Sequence, residues 1–372
     1  MRTMKVVWDN SLAGRDKGGT GVYSARLLEQ FAGRKELYME VLEGRHQSFS
    51  ANGVISRGWG TVSNLLWTHA FLPRILRRVN ADLLHAPGFI APLVTACPVV
   101  VTVHDISYLL YPAHFSRWWA TYLKAMMPQT VKSAAAIVCV SEHSKRDVVA
   151  TYKLSAQKVS VVPNGVDHDR FYPGAALDYD WACSLGIRED YILHVGAFSY
   201  RKNIPVLLRA VAHLRSKGMW TKRQLVLAGP QDLSLKGAHE VFETIQELDL
   251  STSVVLTGHI PNRHLPGLYA HAALLVMPSL YEGFGLPVLE AMATGTPVVA
   301  SNASSLPEVA GGAAILFPTQ DYFALADSIE EVLEHRSVAK ELRQRGLERA
   351  RQFSWQRAAE ETIAVYRAVV RS

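Results

Sequence analysis

Hydrophobic and polar positions alternate in blocks along this chain, with short apolar runs separated by longer segments of helical periodicity. The apolar runs of the first half are MKVVWD, ADLLHA, PVVVTVHD, AAIVCVS and KVSVVPNG, and those of the second half are YILHVGAF, QLVLAGP, SVVLTGHI, ALLVMPS, TPVVAS and AAILF. Near-continuous apolar runs are typical of parallel strands that helices cover on both faces. The pattern predicts an α/β fold with two Rossmann-like, doubly wound parallel sheets.

The periodicity weakens between the two series of strands. Residues 163–188 hold no strong period, so we place the linker near Pro173, with an N-terminal domain over residues 1–173 and a C-terminal domain over residues 174–354. Residues 355–372 form an amphipathic pattern, and we expect this helix to pack back on the N-terminal domain. Ligands of open α/β sheets bind at the carboxyl ends of the strands. The chemistry should therefore lie in loops that follow strands, at a cleft between the two domains.

Composition narrows the class of protein. Hydrophobic residues make up 49% of the chain and charged residues 19%, which excludes a disordered chain, and the net charge of +6 favours an anionic partner. Cys97, Cys139 and Cys183 have no paired spacing, which argues against a disulfide framework or a cysteine zinc site and favours a reducing compartment. The first residues lack a signal-peptide core, and no apolar run reaches the roughly 18 residues of a membrane span. We expect a cytoplasmic protein, at most peripherally bound to the inner face of the membrane.

A glycine-rich turn follows the first apolar run. Gly18, Gly19 and Gly21 precede or open a helix that is predicted to begin near Val22. Glycines permit positive φ and close approach of the backbone, and a helix N-terminus attracts phosphate. The spacing is not GxGxxG, and no acidic residue ends the second strand, so a dinucleotide dehydrogenase is disfavoured.

Two histidines occupy strand ends in the first half of the chain. His104 ends the most apolar strand, directly before Asp105, and His85 ends the strand before it. A histidine at such a position is either a catalytic group or an ordinary structural residue, and the sequence leaves both open. Ser141 follows another strand and is explained as a helix N-cap.

Two adjacent cations begin a helix in the second half. Arg201 and Lys202 precede Asn203, a suitable N-cap, and Pro205, a suitable early helix residue. Helix N-termini favour acidic residues, so the helix alone does not explain these cations. A polyanion bound between them and the helix would explain them, although solvated surface charges remain the alternative.

The stretch YEGFGLPVLE places two carboxylates around a glycine-broken turn. Glu282 lies in the loop that follows a strand, and Glu290 lies near the end of the first turn of the next helix. A carboxylate can accept hydrogen bonds from both hydroxyls of a vicinal diol, and the N–H groups of the 283–286 turn suit an anion. A nucleotide sugar carries both a diol and phosphates.

These residues resemble glycosyltransferase family 4, whose signature is E-x7-E and whose members have the GT-B fold of two Rossmann-like domains. The resemblance extends over most of the chain, through VTVHD, VSEHSKRDV, VVPNGVD, VGAFSYRKN, LVLAGP, VVLTGHI, PSLYEGFGLPVLEAMATGTPVVAS and LPEVAGGAAILF. In order and spacing these motifs are similar to a bacterial mannosyltransferase-type branch of the family. The resemblance implies retaining transfer of a sugar from a nucleoside diphosphate sugar to an acceptor hydroxyl, with the N-terminal domain binding the acceptor.

The resemblance also implies roles for individual residues. The catalytic set is His104, beside the reacting sugar, Glu282, on the sugar hydroxyls, and Arg201 with Lys202, on the diphosphate. The resemblance implies four further donor-binding groups. Gly19 belongs to the loop that approaches the phosphates and acceptor, and Gly258, His259 and Ile260 border the base. Phe284, Gly285 and Leu286 lie near the sugar and diphosphate, and Glu290 holds the ribose hydroxyls.

One position departs from the family pattern. Many relatives carry a basic residue directly after the glycine of the first strand of the C-terminal domain, where this chain has Ala197 after Gly196. Neutralisation of the leaving group then depends more on Arg201 and Lys202. No His/Cys cluster with metal-ligand spacing is present in the sequence, so we expect no cofactor and no metal requirement.

The expected reaction is transfer of a hexose, first of all mannose from GDP-mannose and next a hexose from a UDP-sugar. The expected acceptor is a saccharide or lipid-linked saccharide of cell-surface polysaccharide synthesis, and no nucleic acid is expected as a partner. Basic and aromatic residues mix in FLPRILRRVNA and SRWWATYLKAMMPQTVKSA, which fits either a membrane-facing surface or ordinary amphipathic helices. A GT-B sugar-nucleotide epimerase and a non-catalytic nucleotide-sugar-binding subunit are the competing functions, and the chain is too short for a glycogen-type phosphorylase.

Overall fold

The structure, a computed structural model, describes residues 3–11, 13, 18–43, 63–112, 117–220, 223–233 and 236–371. The chain divides into two compact units. Unit 1 comprises Met1–Gly165 and Trp355–Ser372, and unit 2 comprises Val166–Ser354. Each unit has one parallel sheet, and within the described residues each sheet has six strands.

The sheet of unit 1 has the strand order β2-β1-β3-β4-β5-β6, and all of its neighbouring strands are parallel. Its strands are β1 Met4–Asp9, β2 Leu37–Leu42, β3 Leu83–Ala86, β4 Val99–Val103, β5 Ala136–Cys139 and β6 Val159–Val161. All five residues of β4 are buried, as expected for an apolar strand inside a sheet that is covered on both faces.

Strand β2 was not predicted from the sequence. Glu40 interrupts the apolar run of its residues LYMEVL, and Tyr38 and Val41 are exposed. β2 is the end strand in the sheet order and pairs with β1. An edge strand needs less apolar surface than a central one, which is why the search for continuous apolar runs missed it.

The helices of unit 1 are α1 Gly19–Phe31, α2 Leu72–Val79, α3 Ser107–Leu110, α4 Arg117–Ser133, α5 Glu142–Tyr152 and, after the chain has passed through unit 2, α14 Trp355–Arg371. A π-helical turn, Trp67–Phe71, runs directly into α2. The predicted N-cap at Ser141 is confirmed, because its hydroxyl accepts from the backbone N–H of Ser144 at 3.0 Å.

The sheet of unit 2 has the strand order β12-β11-β10-β7-β8-β9 and is also parallel throughout. Its strands are β7 Tyr191–Val195, β8 Gln224–Ala228, β9 Val254–Gly258, β10 Leu274–Met277, β11 Val298–Ser301 and β12 Ile315–Phe317. The predicted α/β class and the two parallel sheets are therefore confirmed. Strand β7 lies between β10 and β8, so the loops after β7 and β10 leave the same edge of the sheet.

The helices of unit 2 are α6 Tyr179–Ser184, α7 Ile204–Ser216, α8 Lys236–Glu247, α9 Leu265–Ala270, α10 Leu286–Thr294, α11 Leu306–Ala310, α12 Tyr322–Glu334 and α13 Arg336–Ala350. Helix α7 buries one side chain after another against the sheet, among them Leu207, Leu208 and Val211. These belong to one hydrophobic core with β7, β8, β10 and α12.

The units divide between Gly165 and Val166, eight residues before the predicted boundary at Pro173. Residues 166–173 pack on unit 2. The Phe171 ring makes an edge contact with Tyr269, and the Arg170 guanidinium donates to the Asn262 carbonyl at 2.9 Å. These contacts were invisible to a criterion based on periodicity alone.

Helix α14 belongs to unit 1, although the chain reaches it from unit 2. The Trp355 ring makes an edge contact with Tyr23 of α1, and the Tyr366 hydroxyl hydrogen-bonds to the His85 ring. Among the residues that the structure describes, no helix is both long and apolar enough to cross a bilayer.

Candidate functional site

Three charged side chains of unit 2 meet in one buried ion-pair cluster. Arg201 Nη1 donates to Glu282 Oε2 at 2.8 Å, and Lys202 Nζ donates to Glu282 Oε1 at 2.6 Å. Lys202 and Glu282 are each only 7% exposed. The sequence placed all three at the same sheet edge, and the structure joins them directly.

Two loops after neighbouring strands bring these residues together. Arg201 and Lys202 lie in a short 3-10 turn after β7, and Glu282 lies in the loop after β10. The loops are also joined through the backbone: the Leu280 N–H donates to the Arg201 carbonyl at 2.8 Å, and Arg201 Nη1 donates to the Tyr281 carbonyl at 2.8 Å. The cluster is thus held by both its charges and its backbone.

The Glu282 carboxylate is the electrostatic centre of the cluster. Burial would raise its pKa, but the charges of Arg201 and Lys202, with hydrogen bonds from Lys202 and Ser279, lower the pKa to about 2. The Ser279 hydroxyl donates to Glu282 Oε1 at 2.7 Å, and the Glu282 N–H donates to the Ser304 hydroxyl at 2.8 Å. Glu282 is therefore ionised at neutral pH and forms an ion pair with each of the two cations.

A pH-dependent stability follows from this lowered pKa. The carboxylate stabilises the fold fully above its ordinary pKa of 4.5, and this contribution is lost as the pH falls towards about 2. The shift corresponds to about 3 kcal/mol. We expect Glu282→Gln to lower the free energy of unfolding at pH 7 by an amount of this order, because two cations lose their shared partner.

Denaturant unfolding of both proteins at several pH values tests this expectation. The difference in stability between wild type and Glu282→Gln should shrink as the pH falls below about 4.5. The exposed ion pair of Lys217 with Glu330 offers a control, because Glu330→Gln should cost little at any pH. A difference that stays constant down to acid pH would contradict the ion-pair explanation.

Asn203 occupies the N-cap position of α7 but does not cap the helix with its side chain, contrary to the expectation from sequence. It has a left-handed backbone, and its amide donates to the Thr319 carbonyl at 2.7 Å and the Pro278 carbonyl at 3.2 Å. Asn203 thus ties the loop after β7 to the ends of β10 and β12.

The turn before α10 is shaped by Gly285, which caps the helix in a left-handed conformation at φ 112°. An added Cβ would lie only 2.9 Å from Leu306 Cδ2, so both the backbone angle and the space favour glycine. The Ser305 hydroxyl contacts the carbonyls of Glu282 and Phe284 at 3.0 and 2.7 Å. Leu286 is the first residue of the helix, so the N–H groups of the first helical turn begin at this point.

Glu290 projects from the second turn of α10. Its Oε2 accepts a hydrogen bond from the Tyr269 hydroxyl at 2.9 Å, and the pKa of that fully buried hydroxyl is raised by burial and by the carboxylate charge. Tyr269 therefore stays protonated and orients one oxygen of the carboxylate. Glu282 and Glu290 are thus held by different partners.

The loop after β9 carries the remaining residues that the sequence singled out in this unit. Gly258 ends β9 with φ 67°, a conformation that favours glycine, and its carbonyl accepts from the Gly229 N–H at 2.9 Å. His259 is exposed, and Ile260 is buried. Gly258 therefore anchors this loop to the end of β8.

His104 and Gly19 belong to unit 1. His104 Nε2 donates to the Pro87 carbonyl at 3.0 Å, since a carbonyl can only accept. The ring lies between Tyr23 and Phe89, with ring centroids 4.8 and 5.6 Å away, and the Ser144 hydroxyl donates to the His104 carbonyl at 2.8 Å. Both the side chain and the backbone of His104 are thus fixed.

The glycine-rich turn differs from its prediction. Gly18 has an extended backbone, and α1 already begins at Gly19 and includes Gly21, so none of the three uses a positive φ. Residues 14–17 of this motif lie outside the described residues. Gly18 and Gly19 are exposed at the start of α1.

His85 is a structural residue. Its ring joins the Tyr366 hydroxyl to the Thr102 hydroxyl, which in turn bonds to the Tyr23 hydroxyl at 2.9 Å. Burial, with the neighbouring His104, lowers the pKa of His85 to about 3, so the ring is neutral. The chain of bonds runs from α14 to Tyr23, which forms one wall around His104.

Several residues of the unit 2 site were not singled out from the sequence: Tyr269, Ser279, Ser304, Ser305 and His194. The serines lie within or beside the quoted motifs, so their position was visible, but nothing in the pattern said that they bond to Glu282 or its backbone. Within the described ranges, no three His, Cys, Asp or Glu side chains are grouped as a metal site would require.

Sequence comparisons match the chain to a known family. Residues 17–170 match the profile described as Glycosyltransferase Family 4, and residues 184–353 match that of Glycosyl transferases group 1. The chain is 31% identical over 298 residues to the O-antigen chain mannosyltransferase B of Escherichia coli, covering 78% of this chain and 76% of that protein. The chain belongs to glycosyltransferase family 4.

Other relatives extend this assignment. The family 4 chain is 31% identical over 311 residues to an MMP alpha-(1->4)-mannosyltransferase of Mycolicibacterium hassiacum, covering 78% of this chain and 71% of that protein. Among solved structures, a sucrose-phosphate synthase of Thermosynechococcus elongatus superposes with a TM-score of 0.78 at 22% identity, over 98% of this chain and 99% of that one. HepE of Anabaena, in complex with UDP-glucose, superposes with a TM-score of 0.74 at 20% identity, over 97% and 100%. The structural likeness identifies the GT-B fold.

Proposed function

We propose that this glycosyltransferase moves a hexose, with retention of configuration, from a nucleoside diphosphate sugar to an acceptor hydroxyl. Mannose from GDP-mannose is the first choice, with a UDP-hexose second. The observation that carries the proposal is the buried cluster of Arg201, Lys202 and Glu282 beside the start of α10. The two similar proteins named as mannosyltransferases support mannose as the sugar.

The chemistry follows from the charge that develops on the leaving group. The bond between the sugar C1 and the diphosphate oxygen breaks, and the negative charge grows on the β-phosphate. Fixed cations stabilise such a charge best when no solvent must reorganise. Arg201 and Lys202 would take this role, and no metal or other cofactor would be required.

Donor binding would redistribute the ion pairs of the cluster. The cations would turn part of their hydrogen bonding to the diphosphate, while Glu282 would accept hydrogen bonds from the sugar hydroxyls. Glu290 would hold the ribose diol, with Tyr269 orienting the carboxylate. The turn at Phe284, Gly285 and Leu286 would lie along the sugar and diphosphate, and Gly258, His259 and Ile260 beside the base.

The acceptor oxygen would attack C1 from the face that the diphosphate leaves. The new C1–O bond forms as the old one breaks, through an oxocarbenium-like centre, and the acceptor proton passes to the departing diphosphate. His104 would contact the reacting sugar, and Gly19 would approach the phosphates and acceptor. This route gives retention without a carboxylate nucleophile.

The acceptor would be a saccharide or lipid-linked saccharide used in cell-surface polysaccharide synthesis. Three large apolar side chains of unit 1, Leu66, Phe71 and Trp118, are more than half exposed. Exposed arginines follow Phe71 on α2, whereas Leu123 of α4 is buried. Such residues suit contact with an anionic membrane from the cytoplasmic side. Binding to vesicles of anionic lipid, reduced by Trp118→Ser, would test this part.

A donor panel tests the function as a whole. Purified protein is incubated with GDP-mannose, UDP-glucose and other nucleotide sugars, with and without excess EDTA, and donor hydrolysis and the unfolding temperature are measured. We expect GDP-mannose and GDP to stabilise the protein, by about 2.7 kcal/mol at a ligand concentration of 100 times Kd. Activity should be unchanged by EDTA.

Each other outcome identifies an alternative. Stabilisation by UDP but not by GDP would reverse the order of donors, and activity that only Mg²⁺ or Mn²⁺ restores after EDTA would contradict metal independence. A donor that binds but is neither hydrolysed nor transferred to any acceptor would favour a non-catalytic binding subunit. Conversion of the donor into an epimer would identify an epimerase.

A further inference from the structure

A buried histidine lies in β7, in the middle of the sheet of unit 2. His194 of β7 is fully buried, and its Nδ1 lies 3.0 Å from the Val276 carbonyl of β10. Because a carbonyl can only accept, Nδ1 carries the proton, and the neutral ring has its lone pair at Nε2. Burial and the nearby charge of Lys202 lower the pKa of His194 to about 4, against the raising effect of the Val276 bond. The ring is therefore neutral at physiological pH.

Nε2 of this ring and the stem of Lys202 both lie beside Gly196. A Cβ built on Gly196 would lie 3.2 Å from His194 Nε2 and 3.0 Å from Lys202 Cε. Both side chains therefore line the small space that the missing side chain leaves. Any larger residue at this position would press on both of them.

Nothing among the described residues satisfies His194 Nε2. It is a buried atom without a hydrogen-bond partner in that part of the chain, whereas Nδ1 is bonded. Buried polar atoms are nearly always hydrogen-bonded, and an exception calls for an explanation. Its neighbours Ile192 and Leu193 on the same strand are fully buried apolar residues, so the sheet itself does not require a polar residue here.

We propose that His194 is a positioning residue for Lys202. When the donor diphosphate is bound, Nε2 accepts a hydrogen bond from the Lys202 ammonium, whose three protons then serve Glu282, a phosphate oxygen and His194. The ammonium carries three donors and no acceptor, so three converging acceptors fix its direction. This inference rests on the proposed function, because it requires a diphosphate at Lys202.

The sheet supplies the geometry for this role. β7 pairs with β10, and the Val276 bond uses Nδ1, so Nε2 is the nitrogen beside the Lys202 stem from the loop after β7. Lys202 lies in that loop, in the 3-10 turn. Once the donor is bound, an acceptor on a rigid strand would hold the cation in place against the charge that develops on the leaving group.

Two substitutions of His194 test the roles of its two ring nitrogens separately. His194→Asn places an amide N–H where Nδ1 was and keeps the bond to Val276, but removes the acceptor beside Lys202. His194→Gln places a polar group near the position of Nε2. Calorimetric affinities for GDP and UDP are measured for both variants, in the wild-type chain and in a Lys202→Met background, together with the unfolding temperature.

The coupling between the two positions is the decisive readout. We expect His194→Asn to weaken nucleoside diphosphate binding about tenfold, the scale of a hydrogen bond to a charged group, and His194→Gln to recover most of it. In the Lys202→Met background, His194→Asn should change the affinity less than about twofold, since the partner ammonium is gone.

The other outcomes overturn the inference in distinguishable ways. Equal losses in both backgrounds would make His194 a structural residue only. Unchanged affinity of His194→Asn, with Lys202→Met strongly weakened, would refute the positioning role and leave the proposed function standing. If Lys202→Met binds normally, the inference fails with the role of Lys202, and if wild type binds neither GDP nor UDP, the inference and the proposed function fail together.

Discussion

Replacing His104 with alanine should lower kcat by roughly 100-fold or more, the usual loss for a positioned catalytic group. The ring is fixed on several sides, by the Pro87 carbonyl and by the rings of Tyr23 and Phe89. With Nε2 used as a donor to Pro87, Nδ1 is the nitrogen that can accept a hydrogen bond from a sugar hydroxyl. Steady-state transfer with the donor identified by the panel measures the effect.

The affinity for nucleoside diphosphates should barely change in the same variant. His104 belongs to unit 1, whereas the proposed diphosphate ligands Arg201 and Lys202 belong to unit 2. His335→Ala, at an exposed histidine between α12 and α13, is the matched control and should leave turnover unchanged. Near-normal turnover of His104→Ala, or a loss of nucleotide binding as large as that of Lys202→Met, would show that His104 has a different role.

Replacing Lys202 with methionine should weaken the binding of nucleoside diphosphates by about 1.5–3 kcal/mol, the value of a charge-assisted hydrogen bond. Methionine keeps an unbranched apolar stem, so the space beside Gly196 stays filled. The loss then reports the ammonium rather than packing. Isothermal titration calorimetry with GDP and UDP measures it directly.

A competing effect makes this experiment informative in both directions. In the structure Lys202 donates a hydrogen bond to Glu282 Oε1, so the substitution also removes this bond from the carboxylate. If Lys202 served only to neutralise Glu282, the variant would be less stable but would bind nucleoside diphosphates as well as wild type. Lys217→Met, at an exposed lysine paired with Glu330, should change neither property measurably and is the control.

The sequence predicted which charged residues lie at the sheet edge of unit 2, but it did not predict how they pair. Arg201, Lys202 and Glu282 were singled out because they follow apolar strands, and parallel strands bring such loops to one sheet edge. That the two cations share one carboxylate was not predictable, because the residues are about 80 positions apart. Which side chains meet depends on β7 lying beside β10, and strand order is not encoded in periodicity.

Local rules failed where tertiary contacts offered a better partner. Asn203 was predicted to cap α7, but its amide bonds to carbonyls of two other loops. The helix after β1 was predicted to begin near Val22, but it begins among the glycines, at Gly19. Strand β2 was not predicted because Glu40 interrupts its apolar run, and an edge strand tolerates such an interruption.

By itself the sequence determined that this protein has two parallel α/β sheets and belongs to glycosyltransferase family 4. Hydrophobic periodicity and the E-x7-E spacing are properties of residues that are close together in the sequence. Both can therefore be recognised without knowledge of the fold. The tertiary structure alone decided that Glu282 pairs with both cations, that Tyr269 orients Glu290, and that His194 Nε2 and the Lys202 stem lie beside Gly196. Each of these contacts joins residues from different segments of the fold, and their energies depend on burial and distance, which only the folded chain defines.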